Sequence, residues 1–115
     1  MIKDIENLDG ATLIKLEERL DANSAPEVKS GLHELIQEGN GVLIISLENL
    51  DFIDSSGLGV LVGCLRRCAA KGGDLCLVNV PEFARSILEL TRLTRVFPIA
   101  DDLEDALELV KKNTE

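Results

Sequence analysis

The pattern of apolar and polar positions predicts a chain that begins with a strand hairpin and then alternates helices with strands. Two-residue periodicity indicates half-buried strands, whereas apolar residues three and four apart indicate helices. The predicted strands are 2–7, 11–18, 42–47, 74–79 and 96–99, and the predicted helices lie between Ser24 and Gly39, at about 56–71, from Pro81 onward and at 101–113. Because helices separate the later strands, the pattern predicts an α/β fold: one domain over residues 1–115, with a mixed, mostly parallel β-sheet of about five strands and about four α-helices.

Several local signals add detail to these predicted elements. Asp9-Gly10 is typical of a tight hairpin turn. The segment 42–47 is almost wholly apolar, which indicates a central strand covered on both faces. The spacing of Ser24 and Glu27 is that of a capping box, in which the serine hydroxyl caps the helix. Pro98 lacks an amide N–H, which favours an edge position for the last strand.

A helical wheel divides each predicted helix into a core face and an outward face. In the second helix, Val60 and Cys64 fall on the outward side, and the predicted core face consists of Leu58, Leu61, Val62, Leu65, Cys68 and Ala69. The third helix is expected to bury Phe83, Ile87, Leu88 and Leu90, and the last one Leu103, Leu107 and Val110.

Charge and cysteine content limit the cellular environment and the classes of partner that we expect for this chain. The net charge of −9 disfavours nucleic acid and anionic membranes, which bind through Lys and Arg, and favours a partner with a basic surface. Cys64, Cys68 and Cys76 lie in apolar contexts and are predicted to be small core residues, without disulfides and without a metal ion. With no evident signal peptide or membrane span, we expect a cytoplasmic protein.

The segment 48–59 carries the candidate chemistry, because it combines acids, two adjacent hydroxyls and glycines that a core does not require. A serine nucleophile needs a base, and the one histidine, His33, is predicted to be an ordinary surface or packing residue. The segment matches neither G-x-S-x-G nor G-x-G-x-x-G, and no Walker lysine follows it. We therefore expect no enzymatic activity and no cofactor. The alternative that the chain is a small nucleotide-binding protein remains open.

Residues 54–60 are better suited to a helix start that another protein recognises. Asp54 or Ser55 is the expected N-cap, and Gly57 and Gly59 would allow close approach by another backbone or by a partner. Val60, on the predicted outward side, fits a docking face. Phosphorylation of an exposed hydroxyl here would add about −1.5 to −2 charges, which would expel a partner that fits the neutral hydroxyl.

The segment 50–59, Leu-Asp-Phe-Ile-Asp-Ser-Ser-Gly-Leu-Gly, resembles the signature of bacterial anti-sigma-factor antagonists of the STAS-domain family. Segments 20–26 and 88–93 are similar to that family's first loop and third-helix region. The resemblance implies that Ser55 is the phosphorylated residue. It also implies that the unphosphorylated form binds an anti-sigma factor with Ser/Thr kinase activity. That kinase uses ATP to phosphorylate the antagonist, which ends the complex. A metal-dependent Ser/Thr phosphatase then restores the unphosphorylated form.

The resemblance also implies roles for the residues around Ser55. Asp54 and Ser56 would shape the loop, and partner contacts would come from the first loop and the helix start, namely Asp21, Asn23, Ser24, Gly57, Leu58, Gly59 and Val60. One departure is Glu18, which stands where the family usually has Gly, and the N-terminal hairpin is short. Both bear on which partner is recognised. The alternative is a STAS module of another signalling or transport assembly.

Overall fold

A computed structural model describes residues 1–114, and its strands and helices follow the predicted order. The strands are β1 (Ile2–Leu8), β2 (Ala11–Leu20), β3 (Val42–Ile53), β4 (Asp74–Val78) and β5 (Ile99–Ala100). The α-helices are α1 (Ala25–Glu38), α2 (Ser55–Ala70), α3 (Glu82–Leu90) and α4 (Leu103–Thr114). The predicted strand at 96–99 is thus only partly correct, because a 3₁₀ helix, Leu93–Arg95, and Val96 to Pro98 precede the two-residue β5.

The five strands form one sheet whose spatial order, β1-β2-β3-β4-β5, is also their order along the chain. β1 and β2 form the predicted antiparallel hairpin, and Gly10 adopts φ +85° in its turn. All later neighbours are parallel, so each pair requires a crossover, which α1, α2 and α3 supply in turn. β5 lies at the edge, as Pro98 suggested.

Hydrophobic residues bury both faces of the sheet. α1, α2 and α3 cover one face, where Leu43, Ile45 and Leu47 of β3 point, and α4 covers the other, where Val42 and Ile44 point. The expectation of a central strand buried on both sides is therefore confirmed. This arrangement leaves the ends of the strands as the places where polar residues can gather.

β3 is twice as long as its apolar run, because it continues through residue 53. β4 pairs only with residues 42–46 of β3, so beyond Ser46 the strand is paired with β2 alone. The register of that pairing shifts twice, between Lys15 and Glu17 and again beyond Glu18. Residues 48–53, which the pattern leaves as a connection, are consequently one strand of a two-stranded extension that ends at the start of α2.

The predicted capping box at α1 is wrong, although the helix does begin after Ser24. The Ser24 hydroxyl makes no cap hydrogen bond. It donates to the carbonyl oxygen of Arg19 at 2.6 Å and accepts the N–H of Asp21 at 3.0 Å. The backbone of Ser24 is already helical, with φ −91° and ψ −19°. An N-cap residue normally has extended backbone angles that aim its side chain at the next turn.

The predicted faces of α2 are correct only in part. Val60 and Cys64, predicted to face outward, are 7% and 0% exposed, whereas Ala69 is exposed and Leu58, Val62 and Leu65 are half-buried. The reason is that α2 packs against α1 as well as against the sheet. A wheel that assumes one buried face cannot represent two directions of packing.

The third helix buries less than the pattern predicts. Leu88 is buried, as expected, but its main companion is Ala84, while Ile87 is half-buried and Leu90 is 84% exposed. Phe83 is also exposed at 36%. α3 is nine residues long and precedes a two-residue edge strand, so little sheet lies beneath it to cover a wider apolar face. In α4, Val110 is buried as predicted, and Leu103 and Leu107 are half-buried around Ala106.

The three cysteines occupy core positions, as the sequence predicts. Cys64 and Cys68 lie on the side of the sheet that carries α1, and Cys76 lies on the side that carries α4, so the sheet separates them. Burial raises the pKa of Cys64 to about 11 and those of Cys68 and Cys76 to about 12. These thiols therefore stay protonated and poorly nucleophilic at neutral pH. In the described part of the chain, no helix combines the length and apolar character that crossing a membrane requires.

Gly57 is required at the start of α2 by close packing against β2. A methyl group at this position would meet the carbonyl oxygen of Leu20, and would lie 2.8 Å from Leu20 Cγ and 2.9 Å from Ile53 Cγ1. Gly59 differs, since a methyl group there would have no neighbour within 4 Å. Of the two glycines of this motif, one serves internal packing and the other borders open space.

We expect Gly57→Ala to destabilise the fold by about 1–3 kcal/mol, because the added methyl group overpacks a backbone contact that has little room to relax. Gly59→Ala, the matched control, should leave stability unchanged or raise it by up to about 1 kcal/mol, through better helix propensity. Urea unfolding gives both free energies of unfolding. Equal stabilities for the two variants would contradict this account of Gly57.

Candidate functional site

Asp54 links the start of α2 to the loop between β2 and α1. One carboxylate oxygen, Oδ1, accepts the N–H of Gly57 at 3.0 Å, which makes Asp54 the N-cap of α2; the sequence left Asp54 and Ser55 as the two alternatives. The other, Oδ2, accepts the N–H of Ala22 at 3.2 Å. In addition, the N–H of Asp54 donates to the carbonyl oxygen of Leu20 at 3.3 Å. The helix start and the first loop are therefore held as one unit.

The first loop has its own hydrogen-bond network, which Asp21 organises. Its Oδ1 accepts the N–H groups of Asn23 at 3.0 Å and Ser24 at 3.1 Å, and its Oδ2 accepts Nε–H of Arg19 at 3.1 Å. The Arg19 hydrogen bond, followed by that of the Ser24 amide, lowers the pKa of the Asp21 carboxyl. The Arg19 guanidinium also lies 4.1 Å from the ring centroid of Phe52 on β3, a cation–π contact. Asp21 thus remains ionised and keeps the loop in a fixed shape.

Ser55 and Ser56 are the exposed hydroxyls of this unit. Ser55 is the first residue of α2, directly after the cap, and Ser56 follows it. A group at a helix N-terminus faces the positive end of the helix dipole, which favours negative charge there. Asp51 is exposed on β3, and Asp54 is half-buried beside the two serines. An exposed hydroxyl in this position is accessible to another protein that transfers a group to it.

The structure brings the predicted site residues together, but only some of them can touch a partner. Asn23, Ser55, Ser56 and Gly59 are exposed, and Leu58 is half-buried. Asp21 and Ser24 are half-buried, and both are engaged in the loop network. Gly57 and Val60 are buried, so the expectation that Val60 presents an outward apolar contact is wrong; α2 packs against α1 as well as against the sheet.

Glu18 has the backbone conformation for which glycine is favoured. Its φ is +66°, in the left-handed region, and the β2–β3 register shifts directly after it. In this conformation a glutamate is energetically less favourable than a glycine. The backbone of Glu18 nevertheless adopts it. The substitution adds an exposed carboxylate to the extension that leads to the site.

Sequence reasoning missed two groups of residues that shape this region. The first is Arg19 and Leu20: Arg19 orients Asp21, and the Leu20 carbonyl oxygen accepts from the backbone of Asp54. The second is a set of basic side chains, Lys29, His33 and Arg67, on the other side of Ser56. Lys29 and His33 are four apart, a spacing that signals a shared helix face. No comparable signal in the sequence indicates that α1 packs against α2 and so brings Arg67 close to Lys29 and His33.

We expect Asp54→Ala to cost about 1 kcal/mol or more of stability, because it removes the helix cap. It also leaves the N–H of Ala22 without its partner. Asp54→Asn keeps an acceptor oxygen at the cap and should cost less. Amide hydrogen exchange provides the local measurement: the Gly57 and Ala22 amides should exchange faster in Asp54→Ala than in the native chain. Unchanged exchange at both amides would show that Asp54 does not join the two segments.

Known proteins share this architecture over almost the whole chain. A relative from Paenibacillus polymyxa, an anti-sigma F factor antagonist, is 31% identical over 105 residues, covering 90% of each chain. A Thermotoga maritima crystal structure, described as a candidate anti-sigma factor antagonist, superposes with a TM-score of 0.88 at 27% identity, covering 94% of this chain and 93% of that one. The phosphorylated form of the Bacillus cell fate determinant SpoIIAA gives a TM-score of 0.72 at 25% identity, covering 96% and 99%. A family model for the STAS domain matches residues 3–106, so this chain belongs to the STAS domain family.

Proposed function

We propose that this chain is an anti-sigma factor antagonist that binds an anti-sigma factor with Ser/Thr kinase activity while Ser55 is unphosphorylated. The observation that carries the proposal is the placement of Ser55: an exposed hydroxyl on the first residue of α2, beside a first loop that Asp54 holds in place. The relative from Paenibacillus polymyxa, named as an anti-sigma F factor antagonist, supports the same class of partner.

The docking surface consists of the exposed residues that share this rigid unit. Asn23 comes from the first loop, and Ser55, Ser56 and Gly59 come from the first turn and a half of α2, with half-buried Leu58 beside them. Because hydrogen bonds already hold the loop against the helix, little conformational entropy is lost when a partner binds. Gly59 has no side chain, which allows a partner backbone to approach α2 closely.

Phosphorylation of Ser55 would act on the partner more than on the fold. The phosphate adds about −1.5 to −2 charges. Its position at a helix N-terminus is favourable by about 0.3–1 kcal/mol, so α2 should tolerate it. For a partner surface that fits a neutral hydroxyl beside Asp54 and Asp51, the added charge and bulk are unfavourable. The result is a switch that releases the partner and leaves the antagonist folded.

The chain would supply the acceptor and the partner the catalysis. In the transfer, the Ser55 oxygen bonds to the γ-phosphorus of ATP, ADP leaves, and the hydroxyl proton passes to a base of the kinase. A Ser/Thr phosphatase would reverse the change by hydrolysis of the phosphoserine. We propose no cofactor or metal ion for the chain itself.

We expect the cognate kinase and ATP to add one phosphate to the native chain and none to Ser55→Ala. Ser56→Ala is the matched control, because it removes the adjacent exposed hydroxyl and should still be phosphorylated. Intact-mass spectrometry counts the phosphates, and fragmentation locates them. Equal phosphorylation of Ser55→Ala and the native chain would refute the assignment of Ser55.

We expect Ser55→Asp to weaken binding of the anti-sigma factor on the order of tenfold or more, because it places a negative charge within the docking surface. Ser86→Asp makes the same chemical change on an exposed position of α3 and should bind like the native chain. Isothermal titration calorimetry gives the dissociation constants. If both variants bind as tightly as the native chain, phosphorylation does not work through charge at Ser55.

A further inference from the structure

A groove with basic walls lies between α1 and α2, directly beside the docking surface. Its section next to Ser56 has a volume of about 350 Å³ and is lined by Lys29, His33, Ser56, Gly59, Val60, Gly63 and Arg67. A second section of about 280 Å³ continues along the same helices and shares His33 and Arg67 with the first. No acidic residue is among the residues that line either section.

The groove is open because two glycines of α2 lie along it. Side-chain methyl groups at Gly59 and Gly63 would have no neighbour within 4 Å, so packing inside the chain requires neither glycine. Each glycine costs a helix about 1 kcal/mol relative to alanine. Because these glycines have no side chains, they leave space between the basic residues of the two helices.

The basic groups of this groove lack acidic partners within the chain. Arg19–Asp21 is the one ion pair among residues 1–114, so neither Lys29 nor Arg67 has a carboxylate within 4.0 Å in that part of the structure. The chain as a whole has 21 acidic and 12 basic residues, which makes a groove without acids unusual on its surface. Burial, followed by the positive charges of Arg67 and Lys29, lowers the pKa of His33.

Lys71 differs from these residues because it has a structural role. Its ammonium group donates to the carbonyl oxygens of Ile36, Gln37 and Gly39 at 2.6–3.0 Å, which caps the C-terminal end of α1. Lys29 and Arg67 are exposed, and within residues 1–114 they have no equivalent set of hydrogen bonds. They are therefore available to an anionic group from outside.

We propose that the α1–α2 groove binds an acidic segment of the anti-sigma factor partner, with carboxylates paired to Arg67 and Lys29. The inference rests on the proposed function and adds the second half of the docking surface. Ser56 and Gly59 belong to both regions, so a partner seated on the helix start extends into the groove without a gap. Complementary charge then gives the partner a fixed orientation, with its acidic segment toward Lys29 and Arg67.

The test compares charge reversals at two neighbouring arginines. Arg67→Glu and Lys29→Glu should each weaken binding of the cognate anti-sigma factor on the order of tenfold, because each places a carboxylate against an acidic segment. Arg66→Glu is the matched control: it makes the same change in net charge at the adjacent exposed position, outside the groove, and should change the dissociation constant less than about twofold. Arg67→Lys should retain most of the affinity, since it keeps the positive charge.

Circular dichroism first confirms that each variant is folded. Calorimetric titration of the full chains with the anti-sigma factor then separates the possible outcomes. If the native chain binds and Arg67→Glu binds as tightly as Arg66→Glu, the groove inference is wrong and the proposed function stands. If the native chain binds no anti-sigma factor, the proposed function fails, and the groove inference with it. If Arg67→Glu changes only self-association in sedimentation velocity, the groove contacts a second copy of the chain, which also overturns the inference.

Discussion

The contact between the first turn of α2 and the end of β2 is the constraint on which the rest of this surface depends. Gly57 lies against the Leu20 backbone, and the Asp54 carboxylate spans the same junction with hydrogen bonds to Gly57 and Ala22. Because one residue caps the helix and anchors the loop, Ser55 is held at a defined place beside the loop. A hydroxyl that another protein must recognise benefits from such a rigid setting.

The two-stranded extension of β2 and β3 explains why this junction stands at the end of the sheet. β4 pairs with β3 only as far as Ser46, so residues 47–53 have β2 as their one strand neighbour and lead to the start of α2 at the end of the sheet. The register shifts and the left-handed backbone of Glu18 interrupt the regular pairing of this extension, and such irregularities are common near functional sites. The fold can then present the helix start and the first loop side by side without exposing its hydrophobic core.

Charge divides the proposed docking surface at Ser56. Glu18 and Asp51 are exposed on the strand side, whereas Lys29 and Arg67 are exposed on the helix side. Net charge alone indicates only that a basic partner is favoured. The distribution shows a basic groove on an otherwise acidic chain, and the proposed acidic segment of the partner rests on that groove. The Ser55 phosphate would add negative charge and bulk at the helix start, next to the groove proposed for the partner's acidic segment, and so would weaken the complex.

The amino-acid sequence by itself determined the order of the elements, the mixed, mostly parallel sheet and the buried central strand, and it limited the cap of α2 to Asp54 or Ser55, because these follow from local periodicity and turn chemistry. The motif at residues 54–59 also indicated the candidate site. Tertiary structure decided what no local pattern records: that β3 continues through residue 53, that Ser24 bonds to its own loop, and that Gly57 is an internal contact. It also decided the burial of Val60 and the joining of Lys29 with Arg67, since both depend on α1 packing against α2. Pairwise packing between helices brings together residues that are distant in the chain, and a wheel drawn for one helix contains no information about the other.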